Sequence, residues 1–326
     1  MSQAKQSVST KAIDRRTLRD RVGIFLVPIE TKEELTQIRE AERAGVQQIW
    51  TGDANNADTL TLFAIAAAQT EHIRLGTAIV STYPRHPLVV ARQALAIHDI
   101  APGRLRLGLG SGGTLPIENW LGLSQTSPLP YLTEYLKLLR QTLWEGDANY
   151  EGNFFKTALP FSHVTQTPLL ISALGPRAFR LAGEIADGAL SWLCPPSYLL
   201  DQALPALRAG AQERQRPAPP LIAQMFVAFS KDETVALAAV RQRVERYARV
   251  STYGRMFAHA GFAGVKDGNE VELNELARTL LIRGDEAEVS ARIQELLASG
   301  LDELMLLPVT DEKDEWQRLL RLVGSL

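Results

Sequence analysis

The sequence predicts an α/β fold, a single (β/α)8 TIM barrel in which parallel strands alternate with helices. Three observations carry this. Short apolar runs rich in Val, Ile and Leu recur along the chain, and amphipathic stretches of helical period separate them. The runs are continuously apolar rather than alternating, as strands covered on both faces must be. Eight such units favour a closed barrel over a doubly wound sheet. With 326 residues, 45% of them apolar and 22% charged, the chain is long enough for that core.

Val22 to Pro28 reads as the first strand, and Lys32 to Ala44 as a helix stopped by Gly45. Gln48 to Thr51 follows, broken by Gly52 and Asp53, then a helix from Asp58 to Gln69. Ile73 to Val80 is the third strand and Val89 to Ile100 its helix. Leu105 to Leu109 is the fourth, running into Gly110-Ser111-Gly112-Gly113. A helix from Tyr131 to Leu143 leads to the fifth strand, Leu169 to Ser172. Gly175-Pro176 then opens the helix Arg177 to Ile185. Gly188 to Leu193 is the sixth strand, and helix 198–214 with the turn Pro217 to Pro220 precedes the seventh, Leu221 to Phe229. The helix Glu286 to Ser299 precedes the eighth, Glu303 to Leu307. Two insertions, 114–167 and 231–278, begin at strand C-termini and are expected to wall the pocket. The second reads as helical over Asp232 to Ala248 and Leu273 to Arg278. Residues 1–21, with six Lys and Arg against two Asp, read as a flexible tail ahead of a barrel domain at 22–326.

Composition narrows the function. A net charge of −2 offers no footprint for nucleic acid. One cysteine, Cys194, excludes an intramolecular disulfide and points to a cytoplasmic setting. No apolar run reaches the roughly 20 residues of a membrane span, and no signal-peptide core follows Met1. Without HExxH, CxxC or a His/Cys cluster, no metal is expected. GxSxG and GxxxxGK[ST] are absent too.

Several residues remain as candidates. Gly108, Gly110 and Gly113 match GxGxxG, but Pro116 and an irregular segment follow where a dinucleotide fold starts a helix. These glycines instead let a flat ligand lie against backbone at a barrel rim. Ser172-Ala-Leu-Gly-Pro-Arg177 reads either as a phosphate turn at a helix N-terminus or as an ordinary strand-to-helix turn. Asp53 is placed either to hydrogen-bond a ligand at the barrel mouth or to cap the next helix, a role open also to Asn56 and Asp58. His86, before Pro87, is a candidate for proton transfer or for capping. Trp192 and Cys194 end the sixth strand, lining the pocket or packing the core.

Together these segments resemble the bacterial-luciferase-like flavin and deazaflavin oxidoreductases, and among them the methylenetetrahydromethanopterin reductases. The resemblance rests on Val22-Gly-Ile-Phe-Leu-Val-Pro28, Ile49-Trp-Thr-Gly-Asp53 with Asn55-Asn56-Ala57-Asp58, and Ile73-Arg-Leu-Gly-Thr-Ala-Ile-Val80 with Arg85-His-Pro87. It continues through Pro102-Gly-Arg-Leu-Arg-Leu-Gly-Leu-Gly-Ser-Gly112, Ala173-Leu-Gly-Pro-Arg177, Ala182-Gly-Glu-Ile-Ala-Asp-Gly188 and Ala298-Ser-Gly-Leu-Asp-Glu-Leu-Met305.

The resemblance implies a site for coenzyme F420, an 8-hydroxy-5-deazaflavin, or for flavin mononucleotide (FMN). It implies a non-proline cis peptide at Ala78–Ile79, with Val80 beyond it, behind the ring. Asp53 and Trp192 would lie near the ring, Gly110, Ser111 and Gly112 at its polar edge, and Ala173, Leu174, Gly175 and Arg177 around the phosphate. The implied activity is hydride transfer between the deazaflavin and a small organic substrate. The alternatives are an FMN-dependent monooxygenase and a non-catalytic flavin- or deazaflavin-binding protein. Phe25, Ala54 and Gly113 replace polar groups found in relatives, which leaves His86 and Glu118 as the candidate proton donors. Relatives are commonly homodimers, and the same is expected here.

Overall fold

A computed structural model describes residues 17–27, 30–53, 58–230, 232–310 and 313–326. The eight expected strands are present: β1 (Val22–Phe25), β2 (Gln48–Thr51), β3 (Arg74–Thr77), β4 (Leu105–Gly110), β5 (Leu169–Ser172), β6 (Gly188–Ser191), β7 (Leu221–Ala228) and β8 (Glu303–Pro308). All pair in parallel. β8 lies between β7 and β1, the order then runs β1 through β6, and β6 returns to β7 to close the barrel. Around it run α1 (Thr31–Arg43), α2 (Thr59–Gln69), α3 (Pro87–Ile100), α4 (Pro128–Arg140), α5 (Pro176–Ile185) and α6 (Leu204–Glu213). The second insertion forms α7 (Glu233–Ala248), α8 (Ser251–His259) and α9 (Glu270–Leu280), and α10 (Glu286–Ala298) and α11 (Lys313–Ser325) complete the ring.

The interior is filled by pairing large side chains with glycines. Trp50 is fully buried, and a Cβ on Gly23 or Gly76 would stand 2.6 Å or 2.3 Å from its indole. Below it, at the N-terminal ends of the strands, Arg106 crosses the barrel. Its Nη1 donates to Glu303 Oε2 at 2.6 Å and to Gln48 Oε1 at 2.7 Å, and the guanidinium lies 4.9 Å from the Trp50 ring centroid. The helices start where side chains accept the free N–H groups of the first turn. Asp58 caps α2, Asp232 caps α7 and Asn269 caps α9, while Asp285 and Glu288 form a capping box on α10.

The structure departs from expectation at several places. The third strand is not continuous over 73–80; it stops at Thr77 and resumes at Val80–Ser81. The sixth ends at Ser191, because Leu193 has a left-handed φ of 56°. The helix expected at 131–143 begins at Pro128, and that expected at 198–214 starts as a short turn and a π-helical stretch. Past Gly113 the segment is not wholly irregular, since Leu115–Trp120 forms one π-helical turn. The additional elements are an antiparallel pair, Tyr150–Glu151 with Lys156–Thr157; a short strand, Leu281–Arg283, on the upper end of β7; α8 and the 3-10 turn Ala263–Asp267 in the second insertion; and α11. Pro28 and most of the tail lie outside the described residues. The tail's last residues, Arg19–Arg21, form a 3-10 turn in which Arg21 donates to the carbonyls of Leu301 (2.6 Å) and Asp302 (2.8 Å).

Candidate functional site

At the C-terminal ends of the strands, β3 is interrupted by a cis peptide between Ala78 and Ile79, the pair that the family resemblance implied. Backbone bonds tie this bulge to the end of β2: Ala78 N–H donates to Thr51 O (2.7 Å) and Asp53 N–H to Ile79 O (3.0 Å). Gly52 makes the approach possible, since a Cβ there would lie 2.7–2.9 Å from the backbone of Ala78 and Ile79. Beyond the bulge Val80 and Ser81 pair with Leu109 and Gly110. Ala78 and Ile79 stay partly exposed while Leu75 to Thr77 and Val80 are buried. They form a small apolar platform on the barrel mouth, between Asp53 and the glycine loop.

Asp53 does not cap α2. Its Oδ2 accepts from Ser81 N–H (3.0 Å) and from Arg85 Nη1 (2.5 Å). The second nitrogen of Arg85 reaches Asp58, whose other oxygen accepts from Thr61 N–H at 2.7 Å and so provides the cap. Burial of Asp58 favours its neutral form, but the bonds from Thr61 and Arg85 outweigh it and lower its pKa. The sequence reading quoted Arg85 in a motif but gave it no role. The signal was a cation in the loop after β3, facing two acids in the loop after β2. Asn55, Asn56 and Ala54 lie outside the described residues.

His86 is the N-cap of α3, its Nδ1 accepting from Leu88 N–H at 3.2 Å. The structure therefore shows the capping role for this residue. Burial lowers its pKa below the ordinary value, and the cap requires an unprotonated Nδ1. The unfolded chain thus binds the proton more readily, so the cap contributes fully above the unfolded pKa of about 6.5 and weakens as pH falls below it. A His86→Asn variant, which caps without titrating, is expected to match the wild type above pH 7. Between pH 7 and 5 its melting temperature should fall less. Parallel thermal denaturation curves check this, and identical slopes would refute it.

Gly110 closes β4, and the loop beyond it folds back on itself. Gln125 Nε2 donates to the carbonyls of Ser111 (2.8 Å) and Gly112 (3.2 Å), and Gly112 needs its φ of 71°. Glu118, on the same loop, is exposed and accepts from Gln125 N–H (3.3 Å), which staples the loop. At the other turn Ala173 is buried, and Tyr198 O–H donates to Leu174 O (2.8 Å). Gly175 faces open space and Arg177 is exposed. Opposite the bulge, Phe25 and Trp192 pack edge to face with centroids 5.1 Å apart. Burial raises the pKa of the Tyr247 hydroxyl in the second insertion, and the Trp192 side chain offsets this in part. No sequence signal distinguished Tyr247 from a helix-surface residue. Cys194 is wholly buried, and burial pushes its thiol up to about 12, so it is packing and not a nucleophile. Tyr83 and Tyr131 stack 4.3 Å apart on the rim, and Tyr83 O–H donates to Thr126 O (2.6 Å). A groove of about 590 Å3 lies not over the strand ends but on the flank, between α4 and α5, with Arg177 in its wall. Among the described residues no group of three or more His, Cys, Asp or Glu is placed to hold a metal. No helix among them is long and apolar enough to cross a membrane.

Comparison with known proteins agrees with this geometry. The family model for the luciferase-like monooxygenases matches residues 14–303. The 5,10-methylenetetrahydromethanopterin reductase of Methanopyrus kandleri is 27% identical over 93% of this chain and 96% of its own. An F420-dependent glucose-6-phosphate dehydrogenase of Nakamurella multipartita is 30% identical over 85% of this chain and 84% of its own. The solved structure of the coenzyme F420-dependent tetrahydromethanopterin reductase from M. kandleri superposes with a TM-score of 0.75 at 25% identity, covering 93% of this chain and 97% of that one. By name these relatives are reductases and a dehydrogenase, and the solved reductase shares the barrel. The chain belongs to the luciferase-like monooxygenase family.

Proposed function

We propose that this protein is a coenzyme F420-dependent oxidoreductase that exchanges a hydride with a small organic substrate. The observation that carries the reading is the partly exposed apolar platform of Ala78 and Ile79, flanked by Asp53 and by Gly110 to Gly112. A planar tricyclic ring fits such a platform, and the open turn at Gly175 fits a phosphate at the N-terminus of α5. The deazaflavin supplies hydride chemistry when bound. Ile79 and Val80 would support the ring from behind, Asp53 and Ser111 would meet its polar edge, and Trp192 with Phe25 would shape the substrate side. These side chains orient the reactants and exclude water. The one carboxylate among them, Asp53, is ion-paired with Arg85, which suits a substrate that accepts hydride without needing a proton from the protein. A homodimer in the cytoplasm is the proposed setting, and sedimentation of the purified chain tests the assembly.

The second reading, an FMN-dependent monooxygenase, draws support from the family model. Absorbance and fluorescence titrations with F420 and, separately, with FMN decide between them. Saturable binding of F420 alone is expected, preference for FMN would replace the hydride-transfer reading by oxygen chemistry, and binding of neither would remove both. Gly175→Glu tests the phosphate turn. A side chain there meets nothing within 4 Å, so the fold should melt as wild type. Its added negative charge at the phosphate position should weaken cofactor binding by about tenfold or more. Undiminished affinity would move the phosphate elsewhere.

A further inference from the structure

The chain between β4 and α4 is tied back onto its own beginning by one side chain. Gln125 Nε2 donates to the carbonyls of Ser111 (2.8 Å) and Gly112 (3.2 Å), and Gln125 Oε1 accepts from the Thr114 hydroxyl (2.8 Å). The amide fits only this way round, because carbonyls accept and cannot donate. The next residue fastens the other side: Thr126 O accepts from Tyr83 O–H (2.6 Å), and Tyr83 follows the bulge in the loop after β3. A trans peptide points its C=O and its N–H in opposite directions. The Ser111 carbonyl shares its plane with the Gly112 N–H, and the Gly112 carbonyl with the Gly113 N–H, both across trans bonds. Holding the two carbonyls therefore turns the two N–H groups away from Gln125. Neither N–H has an acceptor among the described residues. Gly112 borders the bulge, a Cβ there falling 3.0 Å from Ser81 Oγ, and its φ of 71° gives the concave turn in which successive N–H groups gather.

We infer that Gln125 is the positioning residue of the glycine loop: it fixes two peptide planes so that the N–H groups of Gly112 and Gly113 meet, as a pair, an acceptor edge of the ring bound at the mouth. Gln125 itself touches no ligand. The inference rests on the reading above, in which a flavin-type ring lies on the Ala78–Ile79 platform, and it holds for F420 and FMN alike, since both rings carry carbonyls on one edge. Two aligned bonds to a neutral acceptor are together worth about tenfold in affinity. With the amide gone, the two peptide planes are free to rotate and each N–H turns to water instead.

The test titrates the full chain, wild type and variants, with F420 and separately with FMN, and reads both affinity and the absorption maximum of the bound cofactor. Gln125→Ala should weaken binding by about tenfold. It should also move the absorption maximum toward that of the free cofactor, a change that a staple remote from the ring would not produce. Gln125→Glu keeps the length, but its carboxylate only accepts, so near neutral pH it should bind no better than Gln125→Ala. Protonation around the ordinary carboxyl value of about 4.3 restores one donor, so its deficit relative to wild type should shrink as the pH falls from about 8 to about 4.5. Glu118, which accepts from the N–H of residue 125 (3.3 Å), is present in both proteins, so the ratio removes its share. Unchanged affinity and absorption in Gln125→Ala, with only a lower melting temperature, would reduce Gln125 to a staple and overturn the inference alone. A Gln125→Glu deficit that acidification leaves untouched would do the same. If the wild type binds neither cofactor, the reading of the ring site and this inference fall together.

Discussion

Replacing Asp53 by alanine is expected to raise the dissociation constant for coenzyme F420 by about 100-fold or more. Two losses combine. The carboxylate proposed to lie beside the ring disappears, and so does the acceptor that holds the bulge. Ser81 N–H donates to Asp53 just after Ala78–Ile79, and Arg85 is divided between Asp53 and Asp58. With Asp53 gone, Arg85 is left to Asp58 and the Ser81 N–H loses its partner, so the platform is no longer fastened on that side. Asp53→Asn separates the effects. The amide oxygen still accepts from Ser81, but the charge is lost, so the bulge keeps its anchor while the Arg85 pair weakens. Binding should fall in the order wild type, Asn, Ala. Fluorescence titration of the three proteins checks the order, and unchanged affinity in Asp53→Ala would remove this residue, and with it the placement of the ring, from the site.

Much of this architecture was legible because burial on both faces writes strands as apolar runs. Leu169–Ser172 and Leu221–Ala228, buried throughout or nearly so, needed little more than that. Strand ends were less legible, because apolar character continues past the last paired residue. Leu193 is apolar and so extends the sixth run, yet its left-handed backbone lies outside the strand. The bulge is a sharper case. Nothing in the spacing of Ala78 and Ile79 marks it, and only the likeness to a family located it. Arg85 escaped because its partners are 27 and 32 residues away and meet it only once β2 and β3 lie side by side. The two-residue strands at 150–157 are too short to show a period. The last helix is different: Trp316, Leu319, Leu320 and Val323 fall at helical spacing, a signal present in the sequence and passed over above.

The largest expected loss of stability lies at the opposite end of the barrel from the site. Arg106→Met removes a guanidinium with 12% side-chain exposure from Glu303, which is 2% exposed, and from Gln48. Methionine fills much of the same length against Trp50, so the cost is chiefly electrostatic: a buried carboxylate loses its cation. Breaking such a pair typically destabilises by about 3–5 kcal/mol, enough to lower the melting temperature of a domain this size by roughly 4–7 °C. Arg106→Met with Glu303→Leu leaves neither charge. Because a buried pair contributes little over well-packed apolar residues, the double variant should regain most of the loss. The single Glu303→Leu, stranding Arg106, should resemble Arg106→Met. Denaturant unfolding of the four proteins gives the coupling energy directly. Additive losses would mean that the two side chains act independently, and that the bottom of the barrel is held by packing around Trp50 instead of by the pair.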